Sequence, residues 1–125
     1  MTYQSKSIRT FIGSKNFKES RQFYTDLGFK EFPISPKMSY YEVNDQLGFY
    51  LQDYYVKDWI NNSMVFLEVE NLDECQKDLI AKDVTSKYKN VRLSGIKEED
   101  WGRELFMHDP AGVLWHFGEF KPQPA

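Results

Sequence analysis

The sequence predicts an α+β domain built from two consecutive βαβββ modules, whose curved mixed sheets enclose a cavity. Three observations carry this. An Asn-led helical pattern occurs twice, as NFKESRQFYTDL over 16–27 and NLDECQKDLIAK over 71–82. A strand-like segment precedes each at the same offset of 55 positions, SIRTFI over 7–12 and NSMVFL over 62–67. Three further strand-like runs follow each helix. A repeat of this length reads as duplication of one supersecondary unit.

The first module spans 7–54. Its opening segment up to Ile12 reads as a strand. Asn16 followed by Glu19 is a capping-box pattern, because the Asn side chain accepts from a free backbone N–H and Glu reaches back. Behind it Phe17, Phe23, Tyr24 and Leu27 fall at helical spacing. The runs FKEFPI, SYYEVN and LGFYLQDY read as strands, separated by Ser-Pro at 35–36 and Asn-Asp at 44–45. A tether over 56–62 leads into the second module, 63–120. There Asn71 and Glu74 repeat the capping box, and Leu72, Cys75, Leu79 and Ile80 form the apolar stripe. VRLSGI, RELFMH and VLWHFGEF follow, the last two joined by Asp-Pro-Ala-Gly at 109–112. Each half alone leaves one sheet face bare, so the two halves are expected to pack together. The tail KPQPA is expected to fray, since its prolines block strand pairing.

With 125 residues the chain fits one domain, 1–125. Apolar residues at 41% and charged residues at 28% exclude a disordered chain. A net charge of −3 with no basic stripe excludes nucleic acid as the expected partner. No apolar run approaches the roughly 20 residues of a membrane span, so no membrane partner is expected. One cysteine, Cys75, cannot form a disulfide within the chain, and its place on the helix stripe makes it a packing residue. MTYQSKSIRT lacks the apolar stretch of a secretory signal. The expectation is a reduced, cytoplasmic protein. The KEED run over 97–100 reads as a solvated loop, and His108 as a surface histidine.

Two stretches carry a resemblance. Ser20, Phe23, Tyr24, Leu27, Gly28 and Phe29, with the Asp109-Pro110-Ala111-Gly112 turn, resemble the glyoxalase / bleomycin-resistance / extradiol-dioxygenase superfamily, the vicinal oxygen chelate proteins. WGRELFMHDPAGVLWHF, with Trp101, Gly102, Arg103, Glu104, His116 and Phe117, is similar to the C-terminal segment of its bleomycin-resistance proteins. The resemblance covers about residues 7–120 and implies the corresponding fold.

Enzymes of that superfamily usually hold a divalent metal, with ligands from the first strand of each module and from the last strand. By position these fall on Arg9, Met64 and His116. A charged guanidinium cannot coordinate and a thioether suits only soft metals. One remaining ligand does not hold a metal, so no cofactor is expected. The fallback is a divalent metal on His116 and Glu68, with Gln52 as a third donor.

Strand alternation places Leu114, His116 and Gly118 on one face of the last strand and Val113, Trp115 and Phe117 on the other. The same logic puts Arg9 and Phe11 beside Met64 and Phe66 on the sheet's concave side, with Tyr50 and Gln52 facing it. Such a lining suits a flat, polar, heteroaromatic ligand. In the bleomycin-resistance proteins the antibiotic lies in grooves at a two-fold dimer interface. The resemblance therefore implies ligand contacts at Trp101, Gln52 and Phe66. Tyr40 and Tyr41 lie near another aromatic position, and Tyr41 is assigned to it. His116 adds a hydrogen bond and Arg9 sets the pocket's charge, with Glu68 or Glu42 as its carboxylate partner. The expected function is metal-independent binding of an aromatic or heteroaromatic ligand, an antibiotic among the candidates, by a homodimer. The alternatives are a metal-dependent glyoxalase-type lyase, isomerase or thiol transferase, and a structural or regulatory dimer without ligand.

Overall fold

Both Asn caps form. The Asn16 side chain accepts from the Glu19 N–H at 3.0 Å and opens α1 (Phe17–Asp26), and Asn71 accepts from the Glu74 N–H at 3.1 Å and opens α3 (Leu72–Ala81). The computed structural model describes residues 3–122, so the end of the KPQPA tail lies outside the described residues. The Lys121 N–H still donates to the Trp101 carbonyl at 2.9 Å.

The first module continues from β1 (Phe11–Ile12) through α1 to β2 (Lys30–Ser35), β3 (Met38–Asn44) and β4 (Leu47–Gln52). These strands form one sheet in the order β1-β4-β3-β2, with β1 parallel to β4 and the rest antiparallel. The second module runs through β5 (Met64–Glu68), α3, a short α4 (Val84–Lys87), β6 (Arg92–Leu93), β7 (Lys97–Glu98), β8 (Gly102–His108) and β9 (Leu114–Phe120). Its sheet has the order β5-β9-β8-β6, with β7 also on β8 and β5 parallel to β9. Each sheet takes its strands from one module.

The structure departs from the sequence reading of several elements: the opening strand is confined to Phe11–Ile12, and VRLSGI pairs as a strand only at Arg92–Leu93. The tether folds into a short helix, α2 (Lys57–Asn61), because Ile60 finds a place in the core. KEED is not wholly a solvated loop, since Lys97 and Glu98 pair with Glu104 and Arg103, which sets opposite charges across the ladder. Ile80 is exposed rather than on the buried stripe, while Cys75 is half-buried against the core.

One core joins the modules. Phe23 and Tyr24 of α1, Phe49 and Leu51 of β4, Leu72 and Leu79 of α3, and Trp115 and Phe117 of β9 all belong to it. Tyr24 touches Phe49 and Tyr41 of the first sheet and Trp115 of the second. Each sheet thus turns one face to the shared core, and the other face carries Phe11 and Tyr50 in the first sheet and Phe66 and His116 in the second.

Candidate functional site

The β8–β9 hairpin fixes the second sheet's uncovered face. Asp109 caps its turn: one carboxylate oxygen accepts from the N–H groups of Ala111, Gly112 and Val113, each at 2.9 Å. Gly112 supplies the positive φ of 112° that the turn needs. The other oxygen accepts from the Tyr24 hydroxyl at 2.6 Å, and that hydroxyl accepts from Trp115 Nε1 at 3.0 Å. Burial pushes the Asp109 carboxyl up despite these bonds, and raises the Tyr24 phenol well above its ordinary value. Asp109 is a structural plug between the modules.

This turn sets the register, so Phe106 lies opposite His116 and Glu104 opposite Gly118. The parallel strand β5 brings Phe66 opposite His116 from the other side. The result is an aromatic surface. Phe66 packs against Trp101 and Phe120 with ring centroids 5.8 Å apart in each case, and Trp101 lies 5.1 Å from Phe120. The His116 ring lies 6.2 Å from Phe66 and edge-on to Phe106 at 5.0 Å. Phe66 and Phe120 remain 45% and 46% exposed, so this surface is not core. Phe66 reaches over Gly118, where an added Cβ would sit 2.3 Å from the ring tip.

The uncovered face of the first sheet carries a second aromatic surface. Phe11 stacks on Tyr50 at 4.9 Å, and Tyr40 lies 5.5 Å from Tyr50. The Arg9 guanidinium sits 4.2 Å over the Tyr40 ring and donates to the Tyr50 hydroxyl at 3.0 Å. Arg9 is therefore exposed and held by tyrosines, where the sequence reading expected a buried cation paired with Glu68 or Glu42. A cation on the π-faces of two phenols has its charge partly met without a carboxylate.

Tyr41 requires a correction. It is fully buried, and its hydroxyl donates to the Arg21 carbonyl at 3.0 Å. Strand alternation sends Tyr41 into the core and Tyr40 to the opposite face, where Arg9 and Tyr50 cover it. Gln52 ends β4 apart from the Trp101 cluster, in an open hollow of about 550 Å³ with Tyr54, Val56 and Trp59. The structure thus brings Trp101, Phe66 and His116 together on one sheet, and leaves Arg9 and Gln52 on the other.

His116 has a partner that sequence reasoning missed. Its Nδ1 lies 3.0 Å from Glu104 Oε1, and Nε2 faces Met64 Sδ at 3.5 Å. Glu104 is largely buried. The missed signal was the hairpin register: once Asp-Pro-Ala-Gly closes the turn, Glu104 and Phe106 must share the face of His116. The divalent-metal fallback does not assemble. Gln52 belongs to the first sheet and Glu68 and His116 to the second, and among the described residues no three His, Cys, Asp or Glu side chains converge as a cation requires. A hard divalent ion does not fit donors that present a thioether beside the imidazole.

No protein-family model and no curated protein matches the sequence. Solved structures do. A bleomycin-binding protein in complex with bleomycin superposes with a TM-score of 0.78 at 16% identity, over 94% of this chain and 100% of that one. An antibiotic-binding protein from a Streptomyces species gives 0.74 at 15% identity, over 96% and 100%. A lactoylglutathione lyase from Agrobacterium tumefaciens gives 0.69 at 12% identity, over 94% and 96%.

Proposed function

We propose that this chain, which has the glyoxalase/bleomycin-resistance fold, is a metal-independent small-molecule binding protein of the bleomycin-resistance type. It acts as a homodimer that sequesters an aromatic or heteroaromatic ligand by stoichiometric binding. The observation that carries this reading is the uncovered cluster of Phe66, Trp101, Phe120 and His116. Flat surfaces exposed on a folded sheet suit stacking, and His116 and Glu104 supply the polar contacts that orient a ring system. A second copy would cover the rest of both outer faces. Two of the solved structures with this fold are described as binding bleomycin or an antibiotic, which favours a binder.

The test is a tryptophan-quenching titration with bleomycin and a panel of flat heteroaromatic compounds, run beside native mass measurement. Saturable one-per-chain binding by a dimer, lost in Trp101→Ala, is expected. A monomer, or binding indifferent to Trp101→Ala, would sink the proposal.

A second reading rests on the Glu104–His116 pair at 3.0 Å. A carboxylate on one imidazole nitrogen orients the ring. In an enzyme of glyoxalase type His116 would move a proton at a bound substrate. Turnover of an α-oxo thiohemiacetal that disappears in His116→Gln would favour this reading over the first.

A further inference from the structure

We propose that a second ligand site lies at the turn end of the β8–β9 hairpin, and that it takes an amphipathic organic anion. Two hollows meet there. One, of about 370 Å³, is lined by Lys15, Arg92 and His108 together with the side-chain amides of Asn61 and Asn90. The other, of about 400 Å³, is lined by Leu93, Phe106 and Leu114. Arg92 and His108 line both, so the cationic hollow and the apolar one adjoin across these two side chains. The two residues are partners across β6 and β8, which places them side by side on one face.

The charge balance singles this place out. The chain is net negative, with 19 acidic against 16 basic side chains, yet neither hollow is lined by a carboxylate. Among the described residues Lys15, Arg92 and His108 make no side-chain hydrogen bond or ion pair, whereas Arg21 and Arg103 are both spent on carboxylates. Lys15 is steered by the Tyr55 ring, 5.5 Å from its ammonium. The nearest buried acid, Asp109, has its oxygens committed to the turn and to Tyr24. The turn's N–H groups are committed to Asp109 as well, so recognition falls to the side chains. Unpaired Lys and Arg beside two amides suit a carboxylate-type head, and Phe106, Leu93 and Leu114 suit an apolar body of one or two rings.

The site adjoins the aromatic surface at Phe106, which touches His116, but its charged end lies far from Trp101. Trp101 precedes β8 and His108 ends it, roughly 23 Å apart at the rise of an extended strand.

Calorimetric titration of the full chain with 1-naphthoate, with the neutral isostere 1-naphthalenemethanol and with inorganic phosphate tests the proposal. Naphthoate is expected to bind one per chain, with both comparison compounds on the order of tenfold weaker. Lys15→Glu and Arg92→Glu should each weaken naphthoate by on the order of tenfold, and should do so to the same degree in a Trp101→Ala background. Both cations are exposed, and Arg92→Gln gives the same reading at smaller amplitude should a reversal unfold the chain. Equal binding of the neutral compound overturns the proposal. So does phosphate binding as tightly as naphthoate, which would mean a bare-anion site. Loss in Trp101→Ala with no effect of the reversals would place the probe on the aromatic surface instead. The Trp101 result also keeps this proposal separable from the binding function proposed above.

Discussion

The Tyr24 hydroxyl donates to the Asp109 carboxylate at 2.6 Å, joining the first helix of one module to the last turn of the other across 85 positions of sequence. The same hydroxyl accepts from Trp115 Nε1. Tyr24→Phe therefore strands a fully buried carboxylate oxygen and a buried indole N–H at once. A loss of about 2–4 kcal/mol in urea unfolding is expected, since unmet buried groups cost more than a hydrogen bond gains. A loss below about 1 kcal/mol would mean that water replaces the phenol.

Glu31 gives a pH dependence of definite sign. Burial pushes its carboxyl up, but hydrogen bonds from Arg21 and Ser39 and the Arg21 charge outweigh that, leaving it below its ordinary 4.5. A lowered folded-state value adds stability that is present above the ordinary value and lost as pH falls through the folded one. Glu31→Gln should cost on the order of 1 kcal/mol at pH 7, a figure held down because Arg21 is 42% exposed. The difference between the two proteins should close as pH drops below 4.5. A gap that persists undiminished to pH 2 would show the loss to be packing rather than charge.

Gly118 and Gly102 separate a ligand effect from a stability effect. A Cβ at Gly118 meets the far end of the Phe66 ring, which can swing away. Gly118→Ala should change stability by less than about 1 kcal/mol and weaken ligand binding as the ring leaves Trp101 and His116. A Cβ at Gly102 meets the Glu119 carbonyl at 2.1 Å, which is backbone in the paired strand. Gly102→Ala should cost at least about 2 kcal/mol in thermal or urea unfolding. Equal losses in both variants would contradict this division.

The fold was legible because its signals were local and repeated. Asn16 and Asn71 each cap a helix, and alternation separated His116 from Trp115 without knowledge of any neighbour. Tyr41 escaped because a Tyr-Tyr pair gives no phase of its own, and one step along a strand exchanges core for surface. The partners of Arg9 escaped for another reason. Tyr40 and Tyr50 reach it only after β1 pairs in parallel with β4, and that pairing has no short-range signature. Glu104 lay between the two, readable from the turn but only by counting register through it.

The bond between Tyr24 and Asp109 bears on the history of the repeat. At the offset of 55 the counterpart of Tyr24 is Leu79, while the β3–β4 turn that corresponds to the β8–β9 turn carries Asn44 and Asp45. Leu79 has no hydroxyl to donate, so the contact runs in one direction only. An ancestral chain of two like halves could trade one for the other, but this one cannot. The leading half has become the permanent donor and the trailing half the permanent acceptor. Two copies of either half joined in tandem would lack the other's share of the plug. The repeated pattern is held as a union of unlike parts.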